Sequence, residues 1–397
     1  MRTLMIAPQP FFQPRGTPFS VLHRLKALSQ LGYKIDLLTY HLGEDVAING
    51  VTIHRIPNVP FVKTIAIGPS KSKVILDVYV YAKARHLLAA NKYDLIHSHE
   101  EAGFFATRLA RQFNTLHLYD MHSSLPQQLS NFRFSKSKTL IGAFEKLEGH
   151  TINRADAVIT ICPELFNYVK ERFPRKYNLL IENVADNSLV FGSPPDGARI
   201  KERLKSNGEA VVLYTGTFEP YQGIDLLIDA SAQVIERTRH VRFVLVGGKP
   251  EQVQQYQQKV AAMKLERYFV FTGAVPPTDV PGYIAACDVL VSPRLAGNNT
   301  PLKIYSYLRS GKPIVATNHV THTQVLNSDV SVLTECHPGA FGKGVVEALQ
   351  NSALRQRIVE QARKLAEEKY SYQSYLNKTK EVYGYLEQQL AKRRKGN

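Results

Sequence analysis

At 397 residues the chain is too long for one ordinary domain, and two domains of roughly 180 to 200 residues each are the natural expectation. With 44% hydrophobic and 21% charged residues it reads as globular, which excludes a disordered or fibrous chain. The net charge of +16 is spread about evenly over both halves, which argues against a dedicated nucleic-acid module and suits anionic ligands or an anionic membrane face.

Short apolar runs alternate with helical patterns from the start. Thr3–Ala7 reads as a buried strand, followed by a loop from Pro8 to Pro18 and a helix from about Phe19 to Leu31. Gly32 ends that helix, and Lys34–Thr39 and Val51–Ile56 are the next strands. A long helical segment, about Lys71 to Asn91, leads into the strand Leu95–His97. The helices Ala102–Arg111 and Leu140–Arg154 lead into the strands Thr115–Tyr119 and Ala157–Ile161. After a linker at Asp186–Gly208, rich in Pro, Gly, Ser and Asn, the plan repeats, with strands expected at Val211–Tyr214, Arg242–Val246, Phe269–Phe271, Val289–Ser292 and Pro313–Ala316. Strand alternating with helix means parallel strands and right-handed crossovers. The expected fold class is therefore α/β, with two Rossmann-like, doubly wound domains facing across a cleft. The expected divisions are 1–190, 191–370 and a C-terminal helix, 371–397.

The apolar run at Met1–Pro8 is too short for a signal peptide. No uninterrupted apolar stretch reaches the roughly 18 residues of a spanning helix. The closest, Val74 to Ala90, is broken by Asp77, Lys83, Arg85 and His86. Cys162, Cys287 and Cys336 form no C-x-x-C pair, and reduced thiols in a cytoplasmic protein are expected.

Two glycine-bearing loops carry candidate chemistry. Arg15-Gly16-Thr17-Pro18 precedes a helix, where backbone N–H groups can approach a phosphate. Alone it reads more readily as a turn glycine opening a helix, and the G-x-G-x-x-G of a dinucleotide site is absent, which disfavours a nicotinamide dehydrogenase. In the second half, Tyr214-Thr215-Gly216-Thr217-Phe218-Glu219-Pro220-Tyr221-Gln222-Gly223 follows a strand and opens a helix. Val246-Gly247-Gly248, Phe271-Thr272-Gly273-Ala274-Val275-Pro276, and the run from Asn299-Thr300-Pro301-Leu302-Lys303 to Thr317 follow in order.

That ordered set, together with Tyr93–His99, Arg154–Ile159 and Ile181–Val184, resembles the retaining glycosyltransferases of family 4, which have the GT-B fold. The resemblance spans nearly the whole chain. It implies a nucleoside-diphosphate sugar as co-substrate on the second domain, a glycan or lipid-linked acceptor entering from the first, transfer with retention, and no metal or other cofactor. Leaving-group charge is then met by protein groups. The donor residues implied are Arg15, Gly16, Gly216, Thr217, Gln222, Gly223, Val275, Arg294, Asn298, Thr300, Leu302, Lys303 and Ser306, with backbone near Gly273–Val275 reading the base. His122 resembles the family's histidine near the reacting centre, with Asp120 as a partner fixing its tautomer. His99 and Glu100 fall on the acceptor side. His97 and His99 lack a third nearby ligand in the sequence, so a metal is disfavoured there.

Four positions depart from the family pattern. Thr217 and Gln222 stand where it offers an Arg and a Lys to the diphosphate, and Asn298 and Ser306 where it carries two glutamates. All four can hydrogen-bond, but a neutral bond is about half as strong as a charge-assisted one. Three readings stay open: an active enzyme using Arg15, Arg294 and Lys303 as cations, an altered donor, or a catalytically silent binding partner of the same fold. An epimerase acting on a sugar nucleotide is a further enzyme reading.

Asn131–Lys138 interleaves aromatics with cations, and Lys63, Lys71 and Lys73 extend the same character. Together with the terminal Lys392–Lys395 they suggest a peripheral contact with the inner face of an anionic membrane. The expected setting is cytoplasmic synthesis of polysaccharide, lipopolysaccharide or glycolipid. Nucleic acid is not expected as a partner.

Overall fold

The structure is a computed structural model; it describes all residues except 14–15, 66–69, 127–137, 186–199, 201, 203, 205–207 and 396–397. Arg15, most of the Asn131–Lys138 loop and most of the expected linker lie outside the described residues. The chain divides into two compact units. The first comprises Met1–Asn183 with Gln373–Asn397, and the second Val184–Tyr372.

The first unit is a seven-stranded, all-parallel sheet in the order β3-β2-β1-β4-β5-β6-β7. Its strands are β1 (Arg2–Ile6), β2 (Lys34–Thr39), β3 (Val51–Arg55), β4 (Leu95–His99), β5 (Leu116–Met121), β6 (Ala157–Thr160) and β7 (Asn178–Leu180). The connecting helices are α1 (Gly16–Gln30), α2 (Lys71–Ala90), α3 (Ala102–Gln112), α4 (Lys138–Arg154) and α5 (Pro163–Arg172). The sequence reading had neither α5 nor β7. It also ended β4 two residues early, because His99 is polar and yet wholly buried.

The second unit repeats the plan with six parallel strands, in the order β10-β9-β8-β11-β12-β13. They are β8 (Ala210–Thr215), β9 (Val241–Val246), β10 (Phe269–Gly273), β11 (Val289–Ser292), β12 (Ile314–Thr317) and β13 (Val332–Thr334). The helices are α6 (Ile224–Arg237), α7 (Pro250–Ala262), α8 (Val280–Ala286), α9 (Leu302–Arg309), α10 (Val320–Thr323), α11 (Pro338–Gln350) and α12 (Ser352–Lys369). A last helix, α13 (Tyr372–Lys395), contributes all but its first residue to the first unit.

Side chains alternate across a strand, so a sheet covered on both faces needs apolar residues at every position. β8 shows this directly: Val211 and Leu213 join one core cluster, while Val212 and Tyr214 join the other. In each unit the strand order reverses beside the first strand, between β1 and β4 and between β8 and β11. Ligands of doubly wound sheets bind outside the carboxyl ends of the strands at such a reversal. The loops that leave β1, β4, β8 and β11 are therefore where function is sought.

Candidate donor site and a buried histidine cluster

In the second unit the loop leaving β8 is shaped by tyrosines. The Thr215 N–H donates to the Tyr307 hydroxyl at 3.1 Å, and the Thr215 hydroxyl lies 2.9 Å from the same oxygen. Tyr307 belongs to α9, so one hydroxyl pins the end of β8 to that helix. The Tyr214 hydroxyl donates to the Thr217 carbonyl at 2.7 Å. Lys303, the second residue of α9, sits 3.7 Å above the centre of the Tyr214 ring and donates to the Thr215 carbonyl at 3.0 Å. A Cβ at Gly216 would stand 3.3 Å from the Lys303 ammonium, so glycine keeps that face of the ammonium approachable.

The loop leaving β11 carries the second cation. Arg294 donates through Nε to the Ala296 carbonyl at 2.8 Å, and its guanidinium lies 5.1 Å from the centre of the Tyr221 ring. The two loops are tied together. The Leu295 N–H donates to the Tyr221 carbonyl at 2.9 Å, and Gly223, at φ +74, approaches Pro293 so closely that a Cβ would overlap the Pro293 carbonyl. Below them, the Thr317 hydroxyl donates to the Arg294 carbonyl, and His322 links Thr317 to the Ser292 hydroxyl, 2.8 Å away. Burial pushes the His322 imidazole down to about 3, so it acts as a neutral strut.

The electrostatics of this site are unbalanced. Burial, and then the nearby Arg294, hold the Lys303 ammonium well below its ordinary value. Burial also lowers Arg294, against the opposing pull of Tyr221 and Tyr214. Among the described residues neither cation is paired with a carboxylate. The N-termini of α6 and α9, which carry partial positive charge, have no side-chain cap. The Gln222 Oε1 and the Thr300 hydroxyl are buried without a hydrogen-bond partner. The cations without a carboxylate, the uncapped helix ends and the Thr300 hydroxyl, a free donor, fit an anion, while the Gln222 Oε1 is an acceptor and suits a ligand hydroxyl or N–H.

The structure thus brings Gly216, Thr217, Gln222, Gly223, Arg294 and Lys303 together around two linked loops. Leu302 and Ser306 are partly buried on α9, and the Asn298 carbonyl accepts from the Gln324 amide at 2.6 Å. Val275 packs against the core near β10.

In the first unit a second polar cluster is closed. Asp120, on β5, has no exposed surface. Arg24, from α1, reaches it at 3.1 Å through both Nε and Nη2, while Nη1 donates to the Thr379 hydroxyl of α13. His97 bridges the Tyr383 hydroxyl (2.9 Å) and Asp120 (3.3 Å). His122 Nε2 lies 3.3 Å from Asp120 and 2.9 Å from His99 Nδ1. Against the penalty of burial, Arg24 and the imidazoles hold the Asp120 carboxyl well below the usual range. Burial lowers His97 and His99. His97, His99 and Asp120 place ligand atoms within 4.8 Å of one another. A guanidinium already bonded to the carboxylate opposes a second cation there. Beyond His122, the Ser124 hydroxyl and Leu125 N–H donate to Glu148, whose carboxyl burial pushes up to about 7. Glu100, at φ +50, accepts from the Thr17 hydroxyl at 3.0 Å, and Gly16, at φ +34, opens α1 three residues earlier than the sequence suggested.

Residues 15–181 match the glycosyl transferase 4-like domain, and residues 209–351 match glycosyl transferases group 1. The chain belongs to this glycosyltransferase family. Among its relatives, the phosphatidyl-myo-inositol mannosyltransferase of Mycobacterium tuberculosis is 23% identical over 90% of this chain and 90% of its own. The sucrose-phosphate synthase of Thermosynechococcus elongatus superposes with a TM-score of 0.79 at 20% identity, covering 97% of this chain and 98% of that one. Anabaena HepE in complex with UDP superposes with a TM-score of 0.76 at 18% identity, covering 97% and 100%. At these identities the superpositions show the fold, which is GT-B, and the family makes the protein a glycosyltransferase.

For this glycosyltransferase, sequence reasoning missed Arg24, Tyr214, Tyr307 and Glu148. Arg24 interrupts an otherwise apolar helix face between Val21 and Leu28, and that interruption was a usable signal. The two tyrosines had none, since a tyrosine in a strand or helix is ordinarily core.

Proposed function

We propose that the protein transfers a sugar from a nucleoside-diphosphate sugar to a hydroxyl of a glycan or lipid-linked acceptor, with retention and without a metal ion. The single observation that carries this reading is the pair Arg294 and Lys303, two half-buried cations with no carboxylate partner among the described residues, set beside the glycine-bearing loop at the strand reversal of the second unit. A departing diphosphate needs fixed positive charge where its own charge grows, in a site that water cannot screen. Lys303, aligned by Tyr214 and Thr215, and Arg294, aligned by Tyr221 and Ala296, supply it in place of the family cations lost at Thr217 and Gln222. The solved neighbour in complex with UDP supports a nucleotide ligand for this fold. In the first unit we take His122 as the catalytic side chain, its ring held by Asp120 and His99, with Glu100 on the acceptor side. The phosphatidylinositol in the mycobacterial relative's name supports a lipid-linked acceptor.

A thermal-shift panel of UDP-, GDP-, ADP- and dTDP-sugars, run with EDTA and with magnesium, tests the reading. A ligand at a hundred times its Kd adds about 2.7 kcal/mol of stability. One nucleotide class should raise the midpoint equally in both buffers. If no donor moves it, the silent-partner reading replaces this one. Anomeric NMR of the product then decides retention.

A further inference from the structure

The helix α13 carries two stripes. Tyr375, Leu376, Thr379, Val382, Tyr383 and Leu386 are buried in the first unit. Asn377, Lys380, Glu381, Gly384, Tyr385 and Gln388 line a shallow groove of about 600 Å³ together with Tyr177. The spacing of these six is one face of a helix followed for about 16 Å. Tyr177 stands just before β7, the last strand of the sheet order, so the groove lies at the sheet's edge by the amino end of β7. Glu100 and His122 follow the carboxyl ends of β4 and β5, which in a parallel sheet is the opposite end. The Tyr177 and Tyr385 rings stack 3.9 Å apart with 5° between their planes, and the Tyr177 hydroxyl donates to Glu381 at 3.2 Å. Gly384 lies in the helix interior beside Tyr385. Glycine weakens a helix relative to alanine. Here neither packing nor backbone calls for it: a Cβ would meet no atom within 4 Å, and its φ is not positive. Its missing side chain leaves the floor of the groove open.

We propose that this groove binds an uncharged glycan chain at a distance from the reacting groups of the first unit. The C–H face of a sugar ring lies against an aromatic ring, while its hydroxyls, each both donor and acceptor, need amide, carboxylate and ammonium partners. Tyr177 and Tyr385 supply the first, and the exposed Asn377, Lys380, Glu381 and Gln388 supply the second. Rings already held by stacking and by Glu381 lose little freedom when a ligand arrives. The charges of Lys380 and Glu381 cancel, so the groove does not select a polyanion. No aliphatic side chain lines it, which leaves nothing to enter a lipid layer or to clasp an apolar helix. Its length suits several linked sugar rings better than a single sugar. A glycan held here keeps its free end at high local concentration around the enzyme. The groove is argued from its own geometry; the role of that glycan as acceptor or product rests on the transfer reading above.

Binding of the full chain to immobilised neutral glucans, mannans and galactans, with heparin as the anionic control, tests it by biolayer interferometry. At least one neutral glycan should bind, and high salt should leave that binding unchanged. Tyr385→Ala should lower the affinity by about tenfold, the loss expected when an aromatic anchor is truncated. Gly384→Leu fills the groove with a better helix former, so it should weaken glycan binding as much while its melting midpoint stays at or above that of the wild type. Both variants should keep any donor-induced shift. Glycan binding without a donor shift would leave the groove standing and remove the transfer reading. Absence of binding to every neutral glycan overturns the proposal, as does binding that both variants retain, or binding to heparin alone. Concentration-dependent self-association that both variants abolish also overturns it, giving the groove to a second copy of the chain.

Discussion

The two polar clusters of this protein are opposites in charge balance. In the first unit, Arg24 and the imidazoles of His97, His99 and His122 surround Asp120, so that the buried carboxylate has its counter-charge within the fold. In the second unit, Lys303 and Arg294 are held by ring faces and carbonyl oxygens, with no carboxylate among the described residues to neutralise either. Both clusters sit at the carboxyl ends of strands beside a reversal in strand order. A closed network spends its electrostatic attraction on holding elements in place, here α1, β4, β5 and α13. An open one keeps it for a ligand.

The contrast can be broken most forcefully at Asp120. Replacing it with Asn leaves Arg24 buried without an anion, and removing one partner of a buried pair costs about 3–5 kcal/mol. For a unit of this size that lowers the midpoint by roughly 10 °C, read by calorimetry. The acid limb should change as well. A carboxyl held well below its ordinary value contributes stability above its unfolded pKa, and that stability fades as pH falls through the folded value. Asp120→Asn should therefore flatten the loss of stability at low pH. A drop smaller than about 1 kcal/mol would mean that the cluster does not hold the unit together.

Lys303 should behave in the reverse manner. Because burial and Arg294 disfavour its charge, Lys303→Met should leave the free protein as stable as before, or slightly more stable. Its affinity for the donor should fall about 10- to 100-fold, the range expected when a hydrogen bond to a charged group worth about 1.5–3 kcal/mol is lost. Titration calorimetry and thermal melts on the same variant give both numbers. Loss of stability with unchanged affinity would make Lys303 a structural residue and remove the contrast.

How far the sequence disclosed these two clusters follows from their physics. The sheets were legible because apolar runs such as Val211–Tyr214 and Val289–Ser292 are wholly buried, leaving little choice of element. Short, half-buried elements such as β7 and β13 were not, since their residues carry no continuous apolar signal. In the candidate donor site, Gly216, Gly223 and Lys303 stand out from order and spacing. What makes Lys303 unusual is the ring of Tyr214 beneath it and the nearby Arg294, two contacts that exist only after β8, β11 and α9 have met. In the first unit His97 and Asp120 lay in view, yet the residue that closes their network comes from α1, 96 positions before Asp120 in the chain.

The smallest expected effect is also the most specific to an open cluster. A bound diphosphate stabilises the charged form of Lys303, so the complex holds more of a proton than the free protein does. Donor affinity should then fall as pH rises through the lowered pKa of Lys303, by at most about tenfold per pH unit. The neighbouring groups do not confuse the slope: burial raises the Tyr214 hydroxyl well above its ordinary value, and His322 is already neutral. An intact nucleotide sugar is the proper probe, because its diphosphate is esterified at both ends and keeps a constant charge near neutrality. Lys303→Arg should bind with a flat profile over the same range, since a guanidinium stays charged there. A slope that survives in Lys303→Arg would assign the titrating group to another residue, and the second cluster would no longer be the one that waits for an anion.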